Sequence, residues 1–388
     1  MVYKKALSAL VLALPIVLGL PSKRSLNAKC EFLKPIAKDL LDNLFDNQCG
    51  DAAHGALRLI FHDAIGISPK VGGGGADGSI FVFNKTELAF PANDGLDDVL
   101  DDLGPFFHKY SHVLTPGDFD PTPCSIQFAG ALSLANCPGA PRVQFLLGRP
   151  QPRAASPPDL VPEPFDSVDK ILSRFASVGF SPEEVVALLS SHSIAGADTV
   201  DPTIPGTPFD STPSIYDTNI FIDVLLKGTL FPGTANNQGE VKSAINGTLR
   251  LQSDSLLARD SRTACTWQSF ATNQVLMAAK FAPAVFKLSI LGQDTRKGVN
   301  HLLITQQMTD CSEIIPQPKS LKDSPVFPPG KTLRDIEQSA GTEVETLTPY
   351  QCRGVPFPNL PTQPGPPLVV PPIPQADGDD DDDGDDDS

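Results

Sequence analysis

Hydrophobic and polar residues repeat along this chain mainly at the spacing of an α-helix. Apolar positions recur every three or four residues in residues 31–45, 51–65, 94–112, 126–136, 218–226, 249–260 and 267–291. A further helix is predicted from Ser181 to His192, because serine, proline and two glutamates in that order are typical of a helix start. Convincing strand alternation is nearly absent. The pattern therefore predicts a mainly α protein.

The same pattern divides the chain into a body and a tail. Loops rich in glycine, proline or aspartate are predicted at residues 69–79, 150–164 and 200–217. From residue 316 onward proline is frequent and an extended chain is expected. Nine aspartates follow residue 376, and such a run cannot form a core. We therefore expect a body, an extended tail with Cys352 and a disordered end, at residues 25–330, 331–376 and 377–388.

The second predicted helix carries an arginine and a histidine on one face. Arg58 and His62 are four residues apart, which places them one helical turn from each other. Apolar residues lie between them, so this helix is expected to be mostly buried. A buried cation beside an imidazole is costly unless it serves a purpose. A core histidine beside an arginine that reaches solvent is the simpler alternative.

A second histidine, His192, ends the helix that begins at Ser181. Small residues follow it and leave room for a flat group against the imidazole ring. Asp254 lies on another predicted helix and is a candidate to hold the second ring nitrogen, which strengthens a histidine as a metal donor. A haem between His192 and the Arg58/His62 pair is one interpretation of this arrangement.

The N-terminus and the cysteines indicate export. Two lysines precede apolar residues 6–20, so residues 1–24 are predicted to be a signal peptide with a dibasic processing site, too short to span a membrane. Export permits disulfides among the seven cysteines, and glycosylation at the sequons of Asn84 and Asn246. The net charge of −16 argues against nucleic-acid binding. We expect an extracellular monomer with no nucleic-acid or membrane partner.

Four motifs together resemble those of the secreted fungal class II haem peroxidases, which comprise manganese, lignin, versatile and generic peroxidases. The motifs are Arg58-x-x-Phe61-His62-Asp63, residues 72–79, Phe90-Pro91-Ala92-Asn93 and residues 189–198. The resemblance runs from about residue 30 to residue 316. It implies a two-part helical fold with haem b between a distal part and a proximal part, about residues 30–160 and 161–330.

The resemblance also implies roles for the residues around the haem. His62 matches the distal acid–base that moves a proton of hydrogen peroxide, and Asn93 matches the residue that orients it. Arg58 matches the donor that stabilises developing negative charge. His192 matches the iron ligand. Asp254 matches the hydrogen-bond partner of His192. Phe61 and Phe209 match the aromatic residues that pack on the distal and proximal faces of the haem.

Two calcium sites are also implied by the resemblance. The matching residues are Asp63, Gly75, Asp77 and Ser79 at the distal site, and Ser193, Asp210, Thr212, Ile215 and Asp217 at the proximal site. Carboxylate, hydroxyl and carbonyl oxygens suit calcium rather than zinc. A flexible loop and a phosphate cradle are the alternatives for the glycine run, but no Gly-Lys-Ser/Thr follows it.

The chain departs from the family at the positions that choose the substrate. The manganese site uses three acidic side chains, and the matching residues are Asp51, Gly55 and Asp198. The family site also includes a haem propionate, and two carboxylates with that propionate, and water in place of the missing ligand, are expected to hold a hard divalent cation. Two ordinary solvated aspartates are the alternative. The surface tryptophan of lignin and versatile peroxidases falls at Ala187, so oxidation of bulky high-potential aromatics by that route is disfavoured.

The cysteines match the family in part. The matched disulfides are Cys49–Cys137 and Cys265–Cys352, and the absence of two family cysteines leaves Cys30 and Cys311, which we predict to pair with each other. Cys124 lies in an insert at residues 120–125 and is predicted to be free. A second insert is apparent near residues 298–309.

These observations favour a secreted, calcium-stabilised haem peroxidase that uses hydrogen peroxide to oxidise Mn(II) at Asp51 and Asp198 and phenols or dyes at the haem edge, with a role in lignin degradation. A generic peroxidase without Mn(II) oxidation is the first alternative. An inactive secreted calcium- or haem-binding protein is the alternative from another class, and the presence together of Arg58, His62, Asn93, His192 and Asp254 argues against it.

Overall fold

The computed structural model describes residues 28–111, 121–293, 308–321, 325–336, 352 and 357–375, without the side chains of residues 121–125. The predicted signal peptide, the acidic end at residues 377–388, most of the 298–309 insert and the side chain of Cys124 lie outside the described residues. The expectation of a mainly α protein is confirmed. The helices are α1 Leu33–Asn43, α2 Asp51–Ala64, α3 Ser79–Val82, α4 Asn84–Glu87, α5 Asp97–Tyr110, α6 Pro121–Ser133, α7 Val168–Ser177, α8 Pro182–Leu189, α9 Asn219–Asp223, α10 Gln252–Leu257, α11 Ala264–Ala271 and α12 Gln274–Ser289.

Short elements complete the secondary structure. Two-residue strands pair antiparallel as β1 with β6, β2 with β3 and β4 with β5. Their bounds are β1 Leu146–Leu147, β2 Gly196–Ala197, β3 Thr207–Pro208, β4 Glu240–Val241, β5 Arg250–Leu251 and β6 Thr309–Asp310. Single 3₁₀ turns span Ala28–Cys30, Pro91–Asn93, Leu134–Asn136, Ser190–Ile194, Ser312–Ile314 and Leu333–Asp335.

Helix α2 lies at the centre of the N-terminal part of the fold. It packs most extensively against α6 and also contacts α5, α3 and α12. Leu59 and Ile60 are buried in this contact. A Cβ atom on Gly130 of α6 would lie 2.1 Å from Cδ1 of Ile60, so only glycine allows the two helices to approach this closely. In the C-terminal part, α8 packs against α12 and α7.

Three expectations about helices are corrected by the structure. Residues 249–260 do not form one helix, since β5 precedes α10 and Leu251 packs with Leu249 in a small apolar cluster. Residues 267–291 form α11 and α12, because Asn273 interrupts the helix and caps α12 by accepting a hydrogen bond from Leu276 N at 2.9 Å. Helix α7 was not expected from the pattern, although Ser167 caps it.

The three expected disulfides are present. Cα–Cα distances are 5.6 Å for Cys30–Cys311, 4.7 Å for Cys49–Cys137 and 5.2 Å for Cys265–Cys352. The first joins the start of the body to the turn at Ser312–Ile314, 281 residues later. None of the helices in the described ranges is long and apolar enough to cross a membrane.

Candidate active site

A cavity of about 300 Å³ lies between the two parts of the fold. Helix α2 contributes Arg58, Phe61 and His62 to its wall, and the turn after α8 contributes His192. Phe209, which follows β3, lies on the same side as His192, with the two ring centroids 5.2 Å apart. The fold therefore brings together two histidines that are separated by more than a hundred residues in the sequence.

His62 is held by an oriented amide. Its Nδ1 atom lies 2.8 Å from Oδ1 of Asn93, while Nδ2 of Asn93 donates to the carbonyl oxygen of Glu87 at 2.9 Å. Because the amide nitrogen is used in that second bond, the amide oxygen faces His62 and accepts the proton on Nδ1. The remaining ring nitrogen, Nε2, is thereby left as a proton acceptor.

The environment keeps His62 uncharged. Burial and then the positive charge of Arg58 lower its pKa to about 3, although the hydrogen bond to Asn93 acts in the opposite direction. A neutral imidazole at ordinary pH is the form that accepts a proton.

Arg58 is fixed at the cavity wall by two backbone oxygens. Its guanidinium donates to Asp94 O at 2.8 Å and to Gly95 O at 3.2 Å. Burial lowers the pKa of Arg58, which the nearby carboxylate of Asp198 partly offsets, and an arginine remains charged in such a setting. A fixed positive charge therefore lies one helical turn from His62.

His192 has a carboxylate partner on the opposite wall. Nδ1 of His192 lies 2.8 Å from Oδ2 of Asp254, whose side chain is buried. The carboxylate accepts the proton on Nδ1, so Nε2 is the ring atom available to a ligand. Asp254 Oδ1 is buried with no hydrogen-bond partner among the described residues.

The cavity fits a haem by the chemistry of its walls. A histidine with a carboxylate partner is a suitable axial donor for iron. Aromatic and aliphatic side chains provide the apolar slot that a porphyrin ring needs, and Phe61 is itself supported by Phe175 at a centroid distance of 5.9 Å. On the other wall, His62 and Arg58 provide a base and a cation.

Buried oxygen atoms collect behind His62, at the residues expected to bind the distal calcium. Asp63 is fully buried, and its Oδ1 has no hydrogen-bond partner in the described part of the chain. Burial and the nearby Asp77 and Glu87 raise its pKa well above the usual range. Ser79 N donates to Oδ1 of Asp77 at 3.1 Å. Gly75 adopts φ of +73°, and a Cβ atom there would lie 2.3 Å from Leu291 O.

A second set of buried oxygens lies behind His192, at the expected proximal site. Oγ of Ser193 and Oδ2 of Asp210 are buried and find no hydrogen-bond partner among the described residues. Burial and the charges of Asp217 and Asp223 raise the pKa of Asp210. Thr212 donates from Oγ1 to Asp217 at 3.0 Å and from its backbone N–H to Asp210 at 2.8 Å, and Ile215 N donates to Thr212 O at 2.9 Å. A buried carboxylate oxygen without a donor, as in Asp210, suits contact with a cation.

The expected manganese residues are less completely assembled. Asp198 lies on the cavity wall and accepts a hydrogen bond from Gly206 N at 2.9 Å. Asp51 is the first residue of α2 and lies outside that wall. A Cβ atom on Gly55 would lie 3.1 Å from Cβ of Val99, so α5 fills the space where a third side chain would begin. No group of three or more metal-binding side chains of the His, Cys, Asp or Glu type occurs in the described ranges.

The position that matches the surface tryptophan of the family is buried, and so is the only tryptophan of the sequence, Trp267. Ala187 is 1% exposed on α8, and Trp267 is fully buried and donates from its indole nitrogen to Phe221 O at 3.0 Å. A structural role for Trp267 agrees with this geometry.

The sequence did not single out Glu87 or Glu163. The backbone oxygen of Glu87 orients Asn93, and its side chain accepts from Ser156 N at 2.9 Å. Glu163 lies on the cavity wall, where burial raises its pKa. Neither residue belongs to a recognisable sequence motif, so their places at the site are evident only from the folded structure.

The sequence is similar to known fungal enzymes over most of its length. The family model described as Peroxidase matches residues 36–273, and that of the Fungal peroxidase extension region matches residues 276–375. Versatile peroxidase VPS1 of Pleurotus eryngii is 46% identical over 95% of this chain and 98% of its own length. Manganese peroxidase 3 of Phlebia radiata is 48% identical over 90% of both chains. Ligninase H2 of Phanerodontia chrysosporium is 48% identical over 90% of this chain and 88% of its own.

These matches agree with the cavity, the two histidines and the mainly α fold. The family model alone covers more than half of the chain, and each of the three relatives far exceeds the identity at which membership is secure. The chain belongs to the peroxidase family with the fungal extension region, and it is a haem-dependent peroxidase of the lignin-related group.

Proposed function

We propose that this peroxidase reduces hydrogen peroxide at the wall formed by Arg58 and His62, and oxidises Mn(II) at Asp51 and Asp198 and phenols at the cavity itself. The observation that carries the first part is the chain of hydrogen bonds from His62 through Asn93 to Glu87, with distances of 2.8 and 2.9 Å. It leaves Nε2 of a neutral imidazole as a base inside an apolar cavity.

In this mechanism His62 moves one proton between the two oxygens of peroxide. Nε2 takes the proton from one oxygen and returns it to the other, which departs as water. Arg58 donates to the departing oxygen while negative charge develops on it, and its anchors at Asp94 and Gly95 keep it in place beforehand. When bound, haem supplies the iron that peroxide oxidises and that afterwards takes single electrons from donors.

His192 would hold the haem iron through Nε2, with Asp254 as the partner of Nδ1. A carboxylate that accepts this proton increases the basicity of the imidazole and fixes its orientation. Phe61 and Phe209 would contact the two faces of the ring, which their positions on opposite walls of the cavity support.

Two calcium ions would neutralise the buried oxygen clusters. Asp63, Asp77 and Ser79 with the carbonyl oxygen of Gly75 form the distal donor set. The proximal set comprises Ser193, Asp210, Thr212, Ile215 and Asp217. The support is the unpaired oxygens of Asp63, Ser193 and Asp210. Since Asp63 follows His62 and Ser193 follows His192, each ion would brace the backbone of one histidine.

The Mn(II) proposal rests on Asp198 at the cavity wall and on Asp51, the first residue of the helix that carries Arg58. Asp51 and Arg58 are seven residues apart on α2 and so share a helical face, and the charge of Asp198 acts on Arg58. Two relatives named as manganese peroxidases support the same substrate. Water would complete the coordination where Gly55 offers no side chain.

Steady-state oxidation of Mn(II) with peroxide in malonate buffer tests this part. For the wild type we expect saturation with Mn(II), and for Asp198→Ala a loss of saturation with phenol oxidation retained. Asp97→Ala is the matched control, because Asp97 is an exposed carboxylate that also acts on Arg58. A wild type that does not saturate, or an Asp198→Ala variant that behaves as wild type, would reject the manganese site.

A generic peroxidase that oxidises phenols and dyes alone is the second candidate. The packing of Val99 against Gly55 favours it, because a carboxylate cannot be accommodated there without rearrangement. The same assay separates the two, since this candidate predicts phenol oxidation without saturable Mn(II) oxidation.

Secretion completes the proposal. Three disulfides indicate folding in an oxidising compartment, in agreement with the signal-like residues 1–24 of the sequence. Mass spectrometry of the secreted protein, with a mature N-terminus beyond residue 20, is the test.

A further inference from the structure

A short part of the C-terminal extension lies in a track formed by three glycines. This part, residues 370–374, is called the C-terminal strap below. A Cβ atom on Gly247 would lie 3.4 Å from Val370, one on Gly196 would lie 2.6 Å from Cδ1 of Ile373, and one on Gly50 would lie 2.4 Å from the carbonyl oxygen of Pro374. At Gly196 and Gly50 these separations are shorter than any ordinary contact, so larger residues there would displace the strap.

The strap is attached to α2 by a backbone hydrogen bond. The N–H of Asp51, the first residue of the helix, donates to Pro374 O at 2.8 Å. The first N–H groups of a helix have no acceptor within the helix, and the residue before α2, Gly50, provides no side-chain cap. Pro374 therefore serves as the cap that the helix sequence lacks.

One side chain anchors the strap to the body. Ile373 is 4% exposed, whereas Val369, just before the strap, is 90% exposed. Burial of the Ile373 side chain removes apolar surface from water and so favours the attached position of the strap.

The strap contacts both elements that carry the proposed manganese ligands. Pro374 bonds to Asp51 on α2, and Ile373 contacts Gly196 of β2, two residues before Asp198. We infer that the C-terminal strap is a positioning element that sets the separation of Asp51 and Asp198, and so determines how tightly the site holds Mn(II). This inference rests on the proposed Mn(II) function.

The physical need for such an element follows from the composition of the site. Two carboxylates repel each other before the cation arrives, and no third protein carboxylate joins them at Gly55. A two-carboxylate site therefore loses affinity as soon as either backbone moves, and a rigid tie between α2 and β2 reduces the cost of ordering them on binding.

Ile373→Ser in the haem-loaded full-length enzyme tests the inference, with Val369→Ser as the matched control. The first readout is amide hydrogen exchange at Asp51, which is independent of catalysis. Loss of the anchor should accelerate exchange there about tenfold or more, as expected for a released backbone hydrogen bond. The Val369→Ser protein should exchange at the wild-type rate.

The second readout is steady-state kinetics with Mn(II) and with a small phenol. For Ile373→Ser we expect the KM for Mn(II) to rise about tenfold, the effect of about 1.4 kcal/mol in binding, with kcat changed less than about twofold. Phenol oxidation should remain at the wild-type level, because none of residues 370–374 lies on the cavity wall.

A protein truncated after Gln375 separates the strap from the acidic residues that follow. The strap is retained in it, so its KM for Mn(II) should stay close to the wild-type value. The inference is overturned if truncation reproduces the effect of Ile373→Ser, if Asp51 exchanges faster with no change in KM, or if Asp51 exchange is unchanged in Ile373→Ser. A wild type without saturable Mn(II) oxidation rejects the manganese function instead, and Asp51 exchange still reports whether the strap holds α2.

Discussion

The protonation of His62 depends on the orientation of one amide. Asn93 donates from Nδ2 to Glu87 O and can accept from His62 through its oxygen alone. Had the amide been reversed, the proton would lie on Nε2, and the base would face away from the cavity. The backbone of Glu87, a residue in no recognised motif, thus determines which nitrogen is the base in a histidine 25 residues earlier in the chain.

The role of His62 is tested by His62→Leu. We expect the rate constant for reaction with peroxide to fall about 10²- to 10⁴-fold, the usual contribution of an acid–base group. Stopped-flow absorption spectroscopy with peroxide measures this rate. The haem spectrum before peroxide is added should be unchanged in position, because His192 is untouched; peroxide reactivity that survives the substitution would exclude the proposed role.

Gly55 shows how one residue limits the substrate. Because a Cβ atom at this position would lie 3.1 Å from Cβ of Val99, Gly55→Glu alone should strain the contact between α2 and α5 and lower Tm. In the Val99→Ala background the same change should lower the KM for Mn(II) about tenfold, since a third carboxylate strengthens a divalent-cation site. The comparison is between Val99→Ala and the double variant in the malonate assay, and an equal KM in both would show that residue 55 does not reach the cation.

At the scale of elements, α2 organises the active site by its period alone. Asp51, Gly55, Arg58 and His62 follow one another at spacings of four, three and four residues, so they share one face of the helix, which would carry the proposed manganese ligand, the cation and the base. His54 lies on the same helix, and burial lowers its pKa to about 4 from the ordinary 6.5. The ring lies near the Cys49–Cys137 disulfide, with Nε2 3.6 Å from Sγ of Cys49.

This buried histidine makes the stability of the fold depend on pH. The folded chain binds the His54 proton less tightly than the unfolded chain, so stability is lost as pH falls from 6.5 towards about 4. The slope from one such group is at most about 1.4 kcal/mol per pH unit. We therefore expect Tm to decline less steeply with falling pH in His54→Leu than in the wild type. The difference should be no larger than the contribution of one titrating group.

Thermal unfolding of the haem-loaded protein at half-unit pH steps measures the effect. His108→Leu is the matched control, because His108 is exposed on α5. A decline that is as steep in His54→Leu as in His108→Leu would assign the acid sensitivity to other groups.

The sequence predicted helices well where a cap or a strong period marks them, and failed where distant contacts decide. Ser181 is an example of success, since its capping box with Glu184 is present in the fold. The β5 strand was missed because it forms only through antiparallel pairing of Arg250 and Leu251 with the separate β4 segment, Glu240–Val241. The strap escaped notice for the same reason: nothing in a proline-rich segment indicates which glycines will receive it.

At the scale of the whole molecule, two helical parts are joined around one cavity. Disulfides tie the ends of the chain to the body, and each part contains one cluster of buried oxygens next to its histidine. Asp63 and Asp210, which have unpaired oxygens in these clusters, are among the residues for which the motifs imply calcium binding, and that binding remains a prediction. The motifs did not indicate that one carboxylate oxygen of Asp63 and one of Asp210 would be buried without a hydrogen-bond partner among the described residues, which depends on packing.

Removal of calcium should therefore weaken the whole fold. A site loaded at about a thousand times its dissociation constant contributes about 4 kcal/mol. Without the ion, Asp63 lies buried beside Asp77 and Glu87 in the distal cluster, and Asp210 lies buried beside Asp217 and Asp223 in the proximal cluster. We expect a chelator at neutral pH to lower Tm by about 5–10 °C, as measured by calorimetry of the haem-loaded enzyme. Readdition of calcium, but not of magnesium at the same concentration, should restore it, because magnesium requires a smaller and more regular site.

Asp210→Asn gives this prediction its internal control. The amide removes one calcium ligand and also removes the unpaired buried charge, so Tm in calcium should fall while the further loss on chelation becomes smaller. Asp169→Asn, at an exposed position on α7, should respond to the chelator as the wild type does. If Asp210→Asn and Asp169→Asn lose the same number of degrees on chelation, the proximal cluster does not hold the ion, and the buried charge of Asp210 must be compensated in another way.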